Sequence, residues 1–226
     1  MQVIVLADGQ VGPRAALDAA WPGWLEPGAR VVAADGGARH AGPLGLAIDR
    51  WVGDGDSLGE DGIRALEASG VPIERARPDK DESDTELAVL AARTMGATQL
   101  TVLGALGGPR VDHALANLGL LSMPELEPLG VRLVAVDARV RRLLAPGPDG
   151  GPARLDLAGR VGDLVSLLPI GADAEGVTTQ GLAYRLADEA LLAGRTRGLS
   201  NIRERPDAAV TLRHGQLLVI ETPATL

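Results

Sequence analysis

The sequence predicts an α/β domain with a mostly parallel, doubly wound sheet, followed by an all-β sandwich domain. Three observations lead to this fold class. In the first part of the chain, short apolar runs alternate with helical patterns. A stretch rich in proline and glycine then interrupts the chain, and beyond it only strand patterns follow. We therefore expect an α/β domain over residues 1–143, a linker over 144–153 and a β-sandwich over 154–226.

Six short runs in the first domain are predicted to be buried strands, because each is rich in valine, isoleucine, leucine or alanine. They are VIVLAD (3–8), RVVAAD (30–35), WVGD (51–54), VPIERA (71–76), LTVLGA (100–105) and VRLVAV (131–136). Helical patterns lie between them, including GEDGIRALEAS (59–69) and SDTELAVLAARTM (83–95). Strands that alternate with helices in this way predict a parallel sheet.

The helix from Ser83 carries a clear start signal. Ser83 stands three residues before Glu86, the spacing of a capping box in which the serine side chain satisfies a free backbone N–H. Asp84 falls in the first turn, where the helix dipole favours a negative charge. We therefore expect this helix to begin at Ser83.

The second domain shows strand patterns alone. Its candidates are LVSLLPI (164–170), GVTTQGLAYRL (176–186) and AAVTLRHGQLLVIE (208–221). In the last run, RHGQ (213–216) separates two alternating segments and predicts a hairpin turn.

Composition excludes several classes of protein. The formal net charge of -8 argues against a general nucleic-acid binder, which would present a basic face. No apolar stretch is long enough to predict a membrane span, and the N-terminus lacks the basic segment of a signal peptide. The absence of cysteine excludes disulfides and thiolate metal sites, and we expect a cytoplasmic protein.

Acidic residues cluster where the predicted strands end, which is where open α/β sheets bind their ligands. They are Asp35, Asp54, Asp56, Asp81, Asp84 and Asp112. Asp54 and Asp56 are two residues apart in an extended segment, so their carboxylates point to one side and repel unless a cation lies between them. All-oxygen ligands indicate Mg²⁺ or Ca²⁺, and Mg²⁺ fits better if phosphate oxygens complete the site. The GDGD segment taken alone is more typical of an ordinary turn than of a metal site.

Two further features suit phosphate. LGALGGPR supplies Gly107 and Gly108 just before a predicted helix, so that backbone N–H groups can approach an anion. Arg110 and Lys80, the only lysine of the chain, flank the carboxylates and could hold phosphate oxygens. On the following helix, His113 and Asn117 are four residues apart, and the three segments together predict a shared metal and phosphate site. Their pattern differs from the common GxxxxGK[ST] phosphate loop.

The ordered motifs resemble those of the thiamine pyrophosphokinase family. They are ADGGA, GDGDS, KDESDTELA, GGPRVDHALANL, GVTTQGLAY and TRGLSN. The resemblance implies an α/β domain and a β-sandwich assembled as a homodimer. It also implies transfer of the pyrophosphoryl group of ATP to the hydroxyethyl group of thiamine, with thiamine diphosphate and AMP as products.

The resemblance carries roles over to matching positions. Catalysis and the Mg²⁺ site are implied for Asp54, Asp56, Asp81 and Asp84, with Arg110 as a further catalytic residue. ATP binding is implied for Asp35, Lys80, Gly107, Gly108, Arg110, Asp112, His113 and Asn117. Thiamine binding is implied for Asp81, Asp84, Gln180, Ser200 and Asn201.

Three positions depart from the family pattern. Gly55 stands where the family usually has a larger apolar residue, which implies a looser turn. Pro109 lengthens the usual GGR-x-DH and leaves the direction of Arg110 open. Arg39 replaces a frequent asparagine after ADGGA, so a polar substrate contact there is changed or lost.

Two other functions remain open at this point. A pyrophosphokinase for another heteroaromatic alcohol, such as a hydroxymethyl pterin, would share the ATP end, although TTQGLAY and TRGLSN favour thiamine. A non-catalytic sensor of nucleotide or thiamine could use the same fold, but it would not need so many carboxylates beside a phosphate.

Overall fold

The structure, a computed structural model, describes residues 1–147 and 150–224. The chain forms two compact units, Met1–Val136 and Asp137–Leu226. The division falls earlier than the boundary predicted after residue 143, because residues 139–144 form a strand that pairs inside the second unit. Residues 148–149 of the predicted linker and 225–226 of the predicted β domain lie outside the described residues.

The first unit contains a parallel sheet of six strands. They are β1 (Gln2–Leu6), β2 (Arg30–Ala34), β3 (Arg50–Gly53), β4 (Ile73–Arg75), β5 (Gln99–Leu103) and β6 (Gly130–Val134). Their order is β6-β5-β1-β2-β3-β4, and every neighbouring pair is parallel. The predicted mostly parallel sheet is therefore confirmed. The prediction that residues 71–76 are buried is wrong, because β4 pairs only with β3 and is partly exposed.

Five α-helices connect these strands. They are α1 (Arg14–Ala20), α2 (Ala41–Leu44), α3 (Glu60–Ala68), α4 (Asp84–Thr94) and α5 (Val111–Leu120). The capping box is confirmed on its serine side, because Ser83 Oγ accepts a hydrogen bond from the Glu86 backbone N–H at 3.1 Å. Helix α3 buries Ile63 against Trp51 of β3, and α4 packs against β1, β2 and β3.

The strand order creates a switch point beside β1. The chain runs outward from β1 through β2, β3 and β4, then returns to place β5 on the other side of β1. Open α/β sheets bind their ligands at such a point, in the crevice outside the carboxyl ends of the strands. Strand β1 is fully buried, so this crevice rests on the centre of the sheet.

The second unit consists of two antiparallel sheets. Its strands are β7 (Arg139–Leu144), β8 (Ala153–Asp156), β9 (Leu164–Pro169), β10 (Ala174–Gln180), β11 (Glu189–Leu191), β12 (Asn201–Ile202), β13 (Ala209–Leu212) and β14 (Gln216–Thr222). One sheet has the order β12-β9-β14-β7 and the other has the order β11-β10-β13-β8. Val165 and Val219 of the first sheet share one core with Val177 and Val210 of the second. The predicted β-sandwich is therefore confirmed.

The predicted hairpin at residues 213–216 is wrong. Strand β13 pairs with β8 and β10, whereas β14 pairs with β7 and β9, so the chain crosses from one sheet to the other at this point. An alternating pattern on each side of a turn is the same whether the two strands pair or face each other across a core. The predicted strand 176–186 also ends early, at Gln180.

Among the described residues, no helix has the length and apolar character that crossing a bilayer requires.

Candidate active site

Three carboxylates meet at the carboxyl ends of the parallel strands. Asp35 follows β2, Asp54 follows β3 and Asp84 begins α4. One oxygen from each lies within 4.8 Å of the others, which is close enough for a single cation to contact all three. We call Asp35, Asp54 and Asp84 the carboxylate triad.

Lys80 reaches into the triad from the loop before α4. Its Nζ lies 2.8 Å from Asp54 Oδ2 and 3.0 Å from Asp84 Oδ1, and the lysine side chain is only 13% exposed. The hydrogen bond from Lys80 lowers the pKa of Asp54. Burial alone would lower the pKa of Lys80, but the bonds to both carboxylates outweigh it and raise that pKa. The triad therefore already holds one positive charge.

Asp35 is fixed by the loop that carries Asp54. Its two carboxylate oxygens accept hydrogen bonds from the backbone N–H groups of Ser57 and Leu58, at 2.9 and 3.1 Å. Burial raises the pKa of Asp35, and these two hydrogen bonds offset part of that rise. Gly53 leaves the room this needs, because a Cβ there would lie 2.8 Å from the Asp35 Cβ. Burial also raises the pKa of Asp84.

The structure separates the four aspartates that the sequence predicted as metal ligands. Asp54 and Asp84 lie in the triad. Asp56 lines the adjacent cavity, and its backbone N–H binds Asp54 Oδ1 at 3.1 Å. Asp81 is exposed and lies outside both the triad and the cavity lining. Asp35, predicted only as an ATP contact, takes the third place in the triad.

A cavity of about 430 Å³ opens beside the triad at the switch point. Asp35, Asp56 and Asp84 line one side of it, and the segment after β5 lines the other. The backbones after β1 and β5 touch there, because a Cβ on Gly104 would lie 2.2 Å from the Ala7 carbonyl oxygen. Only a glycine allows this contact at a φ of 72°, so the glycine-rich segment forms the wall of the cavity.

The glycine-rich segment leads into α5, as predicted. Gly107 and Gly108 line the cavity with φ values of 78° and 100°. Arg110 also lines it, but its guanidinium donates to Asp112 at 3.0 and 2.6 Å, which lowers the pKa of Asp112 to about 2. The direction left open by Pro109 is therefore toward Asp112, a carboxylate on the same short segment.

His113 and Asn117 both line the cavity from α5. His113 is exposed there, whereas Asn117 is buried and donates to the Ala105 carbonyl oxygen at 3.0 Å. The Asn117 amide thus fastens the glycine-rich segment to the helix.

The other two positions that depart from the family pattern, Gly55 and Arg39, both make close contacts within the protein. Gly55 has a φ of 90°, and a Cβ there would lie 2.5 Å from Ile63 Cδ1, so the turn packs closely against α3 instead of being looser. Arg39 donates from Nη2 to Asp8 Oδ1 at 2.8 Å and from Nη1 to the Ser57 carbonyl oxygen at 2.9 Å. Arg39 therefore ties the loop after β3 to the segment after β1.

Two of the three side chains predicted to contact thiamine in the second unit, Asn201 and Gln180, already form hydrogen bonds within the protein. Asn201 donates to the Tyr184 carbonyl oxygen at 2.7 Å and accepts from the Tyr184 and Ile202 N–H groups at 2.8 and 2.9 Å. Ser200 is exposed with a φ of 56°, and Gln180 donates to Asp207 at 3.0 Å. The buried Asn201 side chain therefore fixes the backbone of Tyr184 through two hydrogen bonds.

Tyr184 is a candidate that the sequence analysis missed. It is the only tyrosine in the chain, and it is 66% exposed although Asn201 holds its backbone. The sequence analysis did not select Tyr184 because it lay within a predicted strand. Its rarity was the available signal, since only 2% of the residues in the chain are aromatic.

The donor set fits a divalent cation. Three carboxylates supply only oxygen ligands, which hard cations such as Mg²⁺ prefer. The ammonium group of Lys80 stands in for a cation at two of them, which shows that these oxygens are arranged around a positive charge.

An acidic triad with a lysine, next to a glycine-walled cavity at the switch point of a parallel sheet, is the arrangement expected of an enzyme that transfers phosphate-containing groups. The family model for the thiamin pyrophosphokinase catalytic domain matches residues 25–132. The model for the thiamin pyrophosphokinase vitamin B1 binding domain matches residues 154–217. The chain belongs to the thiamine pyrophosphokinase family. Both matches confirm the resemblance of the motifs and support thiamine diphosphate synthesis by pyrophosphoryl transfer.

Solved structures share the fold over nearly the whole chain. Thiamine pyrophosphokinase from Bacillus subtilis matches with a TM-score of 0.81 and 22% identity, covering 99% of both chains. Thiamin pyrophosphokinase from Geobacillus thermodenitrificans matches with a TM-score of 0.81 and 23% identity, covering 100% of this chain and 99% of that chain. The enzyme from Candida albicans matches with a TM-score of 0.77 and 16% identity, covering 98% of this chain and 88% of that chain. These likenesses establish the fold.

Proposed function

We propose that this chain transfers the pyrophosphoryl group of ATP to the hydroxyethyl group of thiamine, giving thiamine diphosphate and AMP. The observation that carries the proposal is the carboxylate triad with Lys80, set beside the glycine-walled cavity in the first unit. Transfer of a phosphoryl-type group asks a protein mainly to position the reactants and to neutralise charge, and this arrangement supplies both.

The cation in this proposal is Mg²⁺, held by Asp35, Asp54 and Asp84. When bound, it would neutralise charge on the phosphate oxygens and orient them. Asp56 lines the same cavity and is proposed as a further contact. Asp81 is proposed only as an outer contact to the substrates, because it is exposed and lies outside the triad.

The remaining cavity residues are proposed to hold the nucleotide. The backbone N–H groups of Gly107 and Gly108 line the cavity before α5, where they can donate to phosphate oxygens. His113 lines the cavity from the first turn of α5, and Arg110 lies at the same wall. Asp112 is proposed to hold Arg110 in place, and Asn117 to hold the glycine-rich segment.

In the second unit, Gln180, Ser200 and Asn201 are proposed to serve thiamine binding. Asn201 would act through Tyr184, whose ring it presents to solvent. An exposed aromatic ring suits the cationic, aromatic rings of thiamine. We further propose a cytoplasmic homodimer.

The test is incubation of the purified protein with ATP, Mg²⁺ and thiamine, followed by chromatography of the products. The proposal expects AMP and thiamine diphosphate, and no AMP when a hydroxymethyl pterin replaces thiamine. AMP formed only with the pterin would establish the other pyrophosphokinase. Thiamine binding without AMP in either mixture would establish a sensor.

A further inference from the structure

Lys80 occupies the oxygens that a cation would need. Its Nζ contacts Asp54 Oδ2 at 2.8 Å and Asp84 Oδ1 at 3.0 Å, and these are two of the three carboxylates in the triad. The exposed fractions are 13% for Lys80, 14% for Asp54 and 23% for Asp84, so water screens these charges weakly. An ammonium group and a dication at the same two carboxylates would repel each other strongly in such a setting.

We propose that Lys80 and the divalent cation use Asp54 and Asp84 in turn, so that the cation binds tightly only together with the nucleotide. Without phosphate, the ammonium group remains on the two carboxylates and opposes the cation. With polyphosphate in the cavity, the displaced ammonium group gains new oxygen partners and no longer opposes it. This inference rests on the proposed function for the identity of the phosphate ligand.

The sequence around Lys80 is consistent with such an exchange. Lysine is a compact cation on a flexible stem, and Lys80 is the only lysine among 22 lysine and arginine residues. It lies in the loop between β4 and α4, four residues before Asp84 at the start of α4. Rotation about the lysine side-chain bonds can therefore move Nζ while the triad stays in place.

Exchange requires coupling that works in both directions. If the nucleotide removes Lys80 from the triad and so favours the cation, the cation must favour the nucleotide by the same factor. Removing the ammonium group should weaken this coupling, because the cation then meets no competitor in either state and only its direct contact with the phosphate oxygens still links the two ligands.

The test measures binding of Mn²⁺ alone, by electron paramagnetic resonance or calorimetry, to the full chain without nucleotide. We expect Lys80→Met to bind Mn²⁺ at least about tenfold more tightly than the unsubstituted chain, a factor within the usual range for coupled ligands. An ATP analogue with a methylene group between the α and β phosphorus atoms should then tighten Mn²⁺ binding far more in the unsubstituted chain than in Lys80→Met.

Arg77→Met is the matched control. Arg77 lies three residues before Lys80 and pairs with the exposed Asp79, so this change removes one positive charge without freeing a triad oxygen. We expect its Mn²⁺ affinity to stay within about twofold, because exposed charges interact weakly. An equal gain in Arg77→Met would overturn the proposal, since it would show a general effect of net charge.

Other outcomes also decide the matter. Unchanged or weaker Mn²⁺ binding by Lys80→Met, or equal tightening by the analogue in both proteins, would overturn the exchange. If Lys80→Met does not fold, Lys80→Gln takes its place with the same expectations. Coupled Mn²⁺ binding in a protein that forms no thiamine diphosphate would uphold the exchange and remove only the proposed function.

Discussion

Lys80, which contacts two carboxylates of the triad, is the residue at which the proposed function depends most on the shape of one side chain. Lys80 places a compact ammonium group between two partly buried carboxylates, where a planar guanidinium needs more room and a forked partner. We predict that Lys80→Arg lowers turnover at least about tenfold, or ~1.4 kcal/mol of transition-state stabilisation. The KM for thiamine should change little, because the lysine acts at the phosphate end. Steady-state kinetics with varied thiamine would refute this role if turnover were unchanged or only the thiamine KM rose.

The triad carboxylates should matter more than other aspartates. We predict that Asp54→Asn lowers turnover at least about a hundredfold, a typical loss for removing one charged contact from an active site. Asp56→Asn should also lower turnover, but by less, because Asp56 lies outside the triad. The matched control is Asp61→Asn on α3, where the side chain is exposed and pairs with Arg64 of the same helix. Wild-type activity of Asp54→Asn at limiting Mg²⁺, in a protein with an unchanged circular dichroism spectrum, would contradict the triad.

Residue spacing predicted part of this triad. Asp54 and Asp84 follow from their places after a strand and at a capped helix start. Asp35 was expected to contact ATP, since its sequence context does not reveal the φ of 40° that turns its carboxylate toward the loop after β3. Asp81 lies in the same acidic segment as Asp84, yet its side chain is exposed and lies outside the triad. Side-chain direction in such a loop depends on contacts that spacing does not encode.

At the scale of elements, strand β7 was missed because its sequence is rich in arginine. Arg139 and Arg141 are charged, but both pair with Glu221 of the adjacent strand β14. The partner lies about eighty residues away in the sequence, so no local pattern predicts that these arginines can be buried. The wrong prediction of a hairpin at residues 213–216 has a similar cause, since the pairing of β14 is decided by the distant strands β7 and β9.

This buried charge cluster gives a prediction for pH. Burial would raise the pKa of Glu221, but Arg141 and Arg139 outweigh burial and lower it from the ordinary 4.5. A lowered pKa in the folded state means that the stabilisation is complete above the unfolded value and is lost as pH falls through the folded value. We predict that Glu221→Gln lowers the free energy of unfolding by about 3 kcal/mol at pH 7, and that this difference shrinks below about pH 4. Urea unfolding at several pH values measures it, and a constant difference would show that the Glu221 charge is not involved.

At the scale of the whole molecule, the alternation of strands and helices predicted the first unit well, because most of its parallel strands have buried apolar residues that form a recognisable local pattern. The second unit was predicted as a sandwich, but its two shortest strands, β11 and β12, were not, since two or three residues are too few to show a pattern.

The assembled form carries its own prediction. We expect a homodimer with two-fold symmetry. Val111 and Leu115, one turn apart on α5, are 69% and 63% exposed, and these neighbouring apolar side chains are a candidate part of the contact. Sedimentation equilibrium at micromolar concentration should give twice the mass of 23.3 kDa. A monomer that is fully active at nanomolar concentration would disprove the dimer.

The claim that the triad and its cavity transfer a pyrophosphoryl group is tested most directly by which bond of ATP breaks. Phosphorus-31 nuclear magnetic resonance of the protein with ATP, Mg²⁺ and thiamine follows all three phosphorus atoms at once. We predict that AMP and thiamine diphosphate appear in equal amounts, with the β and γ phosphorus atoms of ATP both in the thiamine product. Appearance of ADP with thiamine monophosphate, or a spectrum of ATP that thiamine leaves unchanged, would contradict the account.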